Sequence, residues 1–374
     1  MDSCDVLIVG AGPAGSSCAW ALRRAGLDIL ILDKCKFPRN KVCGGWITPA
    51  VLEELHINPI EYSQGRIFQP LTGFRTSRMG GSEVETRYRK PISYGIRRVE
   101  FDEFLLERCD ARILQGTSLK TLERSSDHWI VNSQIKTRLV VGAAGHFCPV
   151  ARFLGADSHE DIAVVAQETE FEMTPHQATN CSIRPEVPEL YFCTDMKGYG
   201  WCFRKENFLN VGLGRLDPHG LPQHVTDFVQ FLKKNRKLGF DLPTPMLGHA
   251  YLLHCNSERN VIGEGILLVG DAAGVAYSQS GEGIRPAIES GLLAANAIIA
   301  ANGRYDRATL DKYRGLLASR FGPSEKDWVT AIGRHFPPRL ISLSAKLLLA
   351  SEWFSRHVVL DRWFLRCNEP ALNT

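Results

Sequence analysis

Cys43 lies two residues after Lys41 and directly before Gly44-Gly45, in the stretch FPRNKVCGG at 37–45. A thiol so placed can be a nucleophile, the wall of a cofactor pocket or ordinary packing. An ordinary thiol, with a reference pKa of about 8.5, keeps its proton near neutral pH and so can serve as an acid. Upstream, Gly10-Ala11-Gly12-Pro13-Ala14-Gly15 fits the pattern G-x-G-x-x-G. Gly10 permits a tight turn, Gly12 lets the backbone approach a pyrophosphate, and Gly15 lets the following helix pack closely on the preceding strand. The helix N-terminus then offers free N–H groups and the positive end of its dipole to phosphates. Asp33, 23 residues beyond Gly10, occupies the place where an acid accepts hydrogen bonds from ribose hydroxyls.

The glycine pattern reads as a dinucleotide site and does not separate NAD from FAD. Gly270-Asp271 and, ten residues beyond Asp271, Gly281-Glu282-Gly283-Ile284 favour FAD. An acid in a short loop after a buried strand can bond the ribityl chain of a flavin. The next helix N-terminus can then stabilise negative charge on the pyrimidine edge of the reduced ring. Tyr199, Trp201 and Phe203 alternate, so on a strand they share one face. That face is either an aromatic wall against a hydrophobic substrate or a sheet face packed on a core. Glu282 could deliver a proton, although such an acid more often caps a helix start.

These residues need a scaffold, and the chain supplies one. CDVLIVG (4–10) and DILILD (28–33) are apolar runs expected of buried parallel strands, with PAGSSCAWALRRAG between them as a helix ending at Gly26. YGIRRVEFDEFLLERC (94–109) reads as a strand end entering a helix, and RLVVGAAG (138–145) as another buried strand. Between about 162 and 255 the pattern alternates like an antiparallel sheet. GILLVGDAAG (265–274) returns to the buried type, GIRPAIESGLLAANAIIA (283–300) reads as a helix, and the chain looks helical from about 306 onward.

The expected fold class is therefore α/β. A Rossmann-type FAD-binding domain (1–60, 91–158 and 256–305) is interrupted by a mainly antiparallel substrate domain (61–90 and 159–255). A C-terminal helical region (306–374) follows.

The composition is that of a globular protein: 374 residues, 44% hydrophobic and 23% charged, with a net charge of +3 that gives no reason to expect nucleic acid as a partner. Eleven cysteines in irregular spacing, without a CxxC pair, argue against a disulfide framework or a Cys-rich metal site and fit a reducing compartment. The uncharged run 6–22 lacks a basic leader and is broken by glycines, so a cytoplasmic location is expected.

Several separated motifs together resemble the geranylgeranyl reductase family, FAD enzymes of the para-hydroxybenzoate hydroxylase-like fold. Besides the two flavin-end segments these are Pro38-Arg39-Asn40-Lys41-Val42-Cys43-Gly44-Gly45, Arg98-Val99-Glu100-Phe101-Asp102, and Gly198–Phe203 followed by Gly212-Leu213-Gly214. The resemblance spans roughly residues 4–300. It implies FAD contacts from Gly10, Gly12, Pro13, Ala14, Gly15, Asp33, Lys34, Arg39, Cys43, Gly44, Gly45, Arg98, Leu119, Gly270, Asp271, Gly281, Gly283 and Ile284. No metal site is expected.

Three departures stand out. Ala144 and Cys148 replace an acid and a serine of the family pattern, while Ser278 and Arg204 each stand where proline is usual. Arg204 could meet an anionic head group or be solvated, and His146 could be an acid/base group or a structural histidine.

The function this implies is reduction of C=C bonds in a long hydrophobic, isoprenoid-like substrate held at Tyr199, Trp201 and Phe203. Cys43 is the candidate proton donor, and NAD(P)H or another reductant the electron source. The alternatives are a monooxygenase acting on aromatic or polyketide rings, a flavin halogenase, and a flavin-binding protein without turnover. The segment 339–366 is expected to pack as a helical layer on the FAD domain, or else to contact a membrane or close a lipid tunnel.

Overall fold

The structure, a computed structural model, describes residues 1–156, 162–217, 219–322 and 346–373. Its first sheet has eight strands. The central path runs Ile262–Gly263, Ile266–Leu268, Ile135–Gly142, Asp2–Val9, Ile29–Asp33 and Arg112–Gln115, with the strands Leu122–Ser125 and His128–Val131 attached beside Ile135–Gly142. Asp2–Val9 pairs in parallel with both of its neighbours. Leu7, Ile8, Leu30, Ile31, Val140 and Val141 are buried because helices cover the sheet, which is why these strands read as unbroken apolar runs. The helices Pro13–Arg24 and Ile284–Ala301 pack directly on each other. Ile284–Ala301 is long and apolar enough to span a membrane by composition, yet 83% of it is buried inside the protein, as befits a core helix.

The second sheet has seven strands in the order Leu247–Tyr251, Val164–Glu172, Phe208–Arg215, Gly198–Lys205, Glu189–Phe192, Gly73–Arg78 and Val84–Arg87. All its pairings are antiparallel except that of Gly73–Arg78 with Glu189–Phe192. One face carries Cys202, Val211 and Leu213 beneath the amphipathic helix Leu221–Lys234. The other carries Leu190, Phe192, Trp201 and Phe203 and turns toward the first sheet's loops.

Part of the segment 61–90 joins neither large sheet. Phe68–Leu71 pairs with Ser93–Ile96, which also pairs with Trp46–Ile47, in a small three-stranded sheet.

The end of the chain is helical over less of its length than expected. Helices Arg307–Leu310 and Lys312–Phe321 are followed, after residues outside the described set, by Glu352–Phe354 and a π-helical stretch Ser355–Phe364, and helical structure ends there. In the described part of 339–366, residues 346–366, Arg366 bonds Gln279 and lies over Tyr277 in the FAD domain, while the apolar side chains gather on the second sheet. Leu349, Val359, Leu360, Phe364 and Leu365 join the aromatic face of the second sheet, where Phe364 meets Trp46, Phe192 and Tyr199. Residues 339–345 lie outside the described set.

Candidate active site

A cavity of about 540 Å³ runs between the two large sheets. Gly10, Gly12, Pro13, Ala14, Asp33, Lys34, Arg39 and Leu119 line one end. Cys43, Gly44, Gly45 and Arg98 line its middle, with Asp271, Gly281, Gly283 and Ile284 beyond them and Tyr199 and Trp201 on the sheet side.

Three expected residues lie behind the lining. A Cβ on Gly15 would fall 1.9 Å from the Gly10 carbonyl oxygen, so Gly15 is fixed by strand–helix packing. Gly270 lies under the Asp271 turn at φ +61°, its N–H bonded to the Ser290 hydroxyl. Phe203 shares the face of Trp201, as its period predicts, but Trp46 lies across it at 4.9 Å between ring centres. It therefore backs the wall without touching the cavity.

The dinucleotide end is held by backbone. The Asp33 carboxylate accepts from the N–H of Ala11 at 2.8 Å and of Cys35 at 2.8 Å, which pins the acid at the tip of its strand. Arg98 donates twice to Asp102, at 2.7 and 2.9 Å, and Arg39 meets the same fully buried carboxylate at 3.3 Å. Asp102 thus orients two cavity arginines; burial by itself lowers the pKa of Arg98, but the Asp102 carboxylate and the nearby Cys43 sulfur outweigh it and raise that pKa. The neighbouring Arg97 points away to Glu100 and Glu170 and stacks on Phe208, which separates the two adjacent arginines by role.

The register of the second sheet builds the aromatic wall. Trp201 lies opposite Gly212 and Tyr199 opposite Gly214. A Cβ on Gly212 would come within 2.3 Å of the Trp201 ring, so that glycine is the bed on which the indole lies. The indole N–H donates to Asn210 at 2.7 Å, and the Tyr199 hydroxyl donates to the Ser280 carbonyl at 2.5 Å. Arg204 points to the opposite face and bonds the Glu206 carbonyl, which removes it from any contact in the cavity.

Side chains that sequence reading passed over also converge here. His249 and Tyr251 come from one strand and line the cavity, with Lys41 Nζ within 2.9 Å of the His249 ring. Burial lowers the Lys41 pKa to about 8 and also lowers that of His249, whose Nε2 lies 3.6 Å from Asp271. The alternation His249-Ala250-Tyr251 was the available signal. His146 is buried on the lining with Nδ1 3.2 Å from Arg259. Cys148 is fully buried, and the Ser278 hydroxyl accepts from the Cys255 N–H, so both departures from the family pattern sit in packing roles. All eleven cysteines are free, and no metal-binding cluster occurs among the described residues.

Two carboxyls beside the cavity carry a pH signature. Burial pushes Glu168 and Glu282 up to about 7 from 4.5. Burial together with the nearby Glu289 raises Glu54 as well. A carboxyl that holds its proton longer in the folded than in the unfolded state makes stability fall as pH rises from its unfolded to its folded pKa. His249, with its lowered pKa, works in the opposite sense as a single group. Thermal unfolding is therefore expected at a higher temperature near about pH 5.5 than near about pH 8, and Glu168→Gln with Glu282→Gln should flatten the difference. A midpoint that instead rises steadily toward pH 8 would contradict this.

The cavity suits a flavin dinucleotide. Gly12 leaves the pyrophosphate end clear, its nearest Cβ neighbour being the Arg39 guanidinium at 3.5 Å, and at the far end a Cβ on Gly283 would lie 3.5 Å from the Asp271 carboxylate.

Comparison with known proteins agrees. The NAD(P)-binding Rossmann-like domain family matches residues 8–70. The menaquinone reductase of Mycobacterium tuberculosis (strain ATCC 25618 / H37Rv) is 30% identical over 346 residues, covering 86% of this chain and 81% of the relative. Digeranylgeranylglycerophospholipid reductase 3 of Methanosphaera stadtmanae is 27% identical, covering 87% and 85%. The geranylgeranyl bacteriochlorophyll reductase-like protein of Thermoplasma acidophilum superposes with a TM-score of 0.79 at 21% identity, over 97% of each chain. With the glycine fingerprint, the flavin-end turn and the Cys-Gly-Gly loop gathered around one cavity, this chain belongs to the geranylgeranyl reductase family of FAD-dependent oxidoreductases.

Proposed function

We propose that this enzyme reduces carbon–carbon double bonds in the chain of an isoprenoid lipid. The observation that carries the reading is one continuous cavity with the Gly10–Gly15 turn at one end and the Tyr199/Trp201 wall beside Cys43. The named relatives act on a menaquinone and on a digeranylgeranyl lipid, both of which carry polyprenyl chains.

FAD held in this cavity would, when reduced, supply a hydride equivalent, with NAD(P)H or another reductant as the electron source. The chain's own residues do the rest. Asp33 and Asp271 are the candidates to hold the ribose and the ribityl chain, while Arg39 and Arg98 offset phosphate charge. Trp201, fixed by Asn210, and Tyr199, fixed by Ser280, present flat apolar surface to an alkene and exclude water from it. Cys43 is the candidate to give the second carbon its proton, completing addition of one hydride and one proton across the double bond.

Exposed Leu347, Leu348 and Trp353 lie close in the chain to Lys346 and Arg356, a mix suited to resting on an anionic membrane surface. The catalytic body would then sit in the cytoplasm, where eleven free thiols stay reduced.

Mixing the anaerobically reduced protein with a polyprenyl lipid is expected to bleach no further and to restore the oxidised flavin spectrum. Reoxidation that waits for oxygen would favour the monooxygenase reading.

A further inference from the structure

The peptide of Cys43 is gripped from both sides by the second sheet. Its N–H donates to Glu168 Oε1 at 2.6 Å, and its carbonyl accepts from Asn210 Nδ2 at 3.1 Å. The two partners come from the strands Val164–Glu172 and Phe208–Arg215, where Glu168 pairs with Gly212 and Glu170 with Asn210. Both point toward the cofactor side, since Ala166, two residues before Glu168, lines the cavity.

Asn210 is shared. Its Oδ1 accepts from the Trp201 indole, and its amide also reaches Glu170, which pairs with the buried Lys205 at 2.7 Å. A Cβ on Gly45 would fall 2.4 Å from that lysine Nζ, so the end of the Cys-Gly-Gly loop rests on the same network. Glu168 is 5% exposed, and its second oxygen has no hydrogen-bond partner among the described residues. Burying a carboxylate this deeply is costly unless its contacts matter.

We infer that Glu168 is a positioning residue which, with Asn210, clamps the Cys43 peptide and sets where the thiol stands relative to the Trp201 wall. The clamp ties the cofactor loop to the substrate sheet, so the thiol and the aromatic surface move as one body. The inference rests on the proposed function only where it concerns turnover. The clamp itself is read from geometry.

The test follows Cys43 directly. FAD-loaded wild type, Glu168→Ala, Glu168→Gln and Asn210→Ala are treated with iodoacetamide at fixed pH, and alkylation is mapped by peptide mass spectrometry. Exposed Cys367 serves as the internal reference. Glu168→Ala is expected to speed Cys43 alkylation about tenfold, the order that loss of a hydrogen bond to a charged group allows, with Cys367 unchanged. Glu168→Gln keeps an acceptor for the Cys43 N–H and should return close to the wild-type rate, and Asn210→Ala should shift it in the same direction as Glu168→Ala.

Under the proposed function, kcat should fall in Glu168→Ala more than KM changes, and Glu168→Gln should recover it. Should Glu168→Ala fail to fold, the Gln and Asn210 variants carry the test. Cys43 alkylation at the wild-type rate in Glu168→Ala and in Asn210→Ala overturns the clamp, as does a Glu168→Gln protein no better than Glu168→Ala. Faster alkylation with unchanged kcat supports the clamp and removes Cys43 from the proposed proton transfer.

Discussion

A Gly15→Val protein is expected to take up no FAD and to show no turnover. The first turn of the helix Pro13–Arg24 lies so close to the end of the strand Asp2–Val9 that a Cβ at Gly15 would come within 1.9 Å of the Gly10 oxygen and 3.2 Å of the Ala143 side chain. Neither obstacle is a flexible side-chain tip, so the helix must move outward. Overpacking of this kind costs about 1–3 kcal/mol in an ordinary core, and more where backbone is the obstacle. A helix displaced by even an ångström no longer aims its N–H groups at a pyrophosphate, nor leaves Ala11 N–H within reach of Asp33. Flavin absorbance of the purified, circular-dichroism-verified protein checks the result. A folded, fully yellow Gly15→Val protein would contradict the placement of the dinucleotide.

The second large effect is expected at the aromatic wall. Trp201→Ala removes a large aromatic surface facing the cavity and leaves Asn210 Oδ1 without its 2.7 Å donor. Burying an aromatic ring's worth of hydrophobic contact is worth about 1.5–3 kcal/mol, so kcat/KM for a prenyl lipid should fall roughly 10- to 150-fold. Trp201→Phe keeps the flat surface and should lose only about tenfold, chiefly through the unsatisfied Asn210. Gly212→Val should resemble Trp201→Ala, since its Cβ alone would lie 2.3 Å from the indole ring. Flavin content should stay near wild type in all three. Wild-type kcat/KM in Trp201→Ala would remove the wall from substrate binding.

Much of this was legible in the chain. The apolar runs at 4–10, 28–33 and 265–274 each contain a buried strand of the first sheet, as their composition suggests, and the glycine fingerprint with Asp33 was the signal for a dinucleotide end. The two-residue period of Tyr199, Trp201 and Phe203 correctly put them on one face. What it could not tell is that Trp46, from a different sheet, would cover Phe203 and leave only the first two exposed to the cavity.

The polar half of the site was illegible for the same reason. Glu168, Asn210, His249 and Tyr251 become neighbours only through the register of adjacent strands, and each alone looks like an unremarkable strand residue. For the end of the chain, an amphipathic pattern reveals that a face is buried, not which surface receives it, so the share of its contacts taken by the second sheet was not readable.

Electrons are expected to leave the flavin through a carbon–carbon double bond. The most direct measurement reduces the protein anaerobically with limiting dithionite, adds a polyprenyl lipid in deuterated buffer, and weighs the product by mass spectrometry. The predicted product has gained one deuterium at each carbon of every bond reduced, since the N–H that carries the hydride equivalent on a reduced flavin exchanges with solvent, in proportion to flavin reoxidised. An unchanged lipid under these conditions, with a product heavier by one oxygen once air is admitted, would contradict the account.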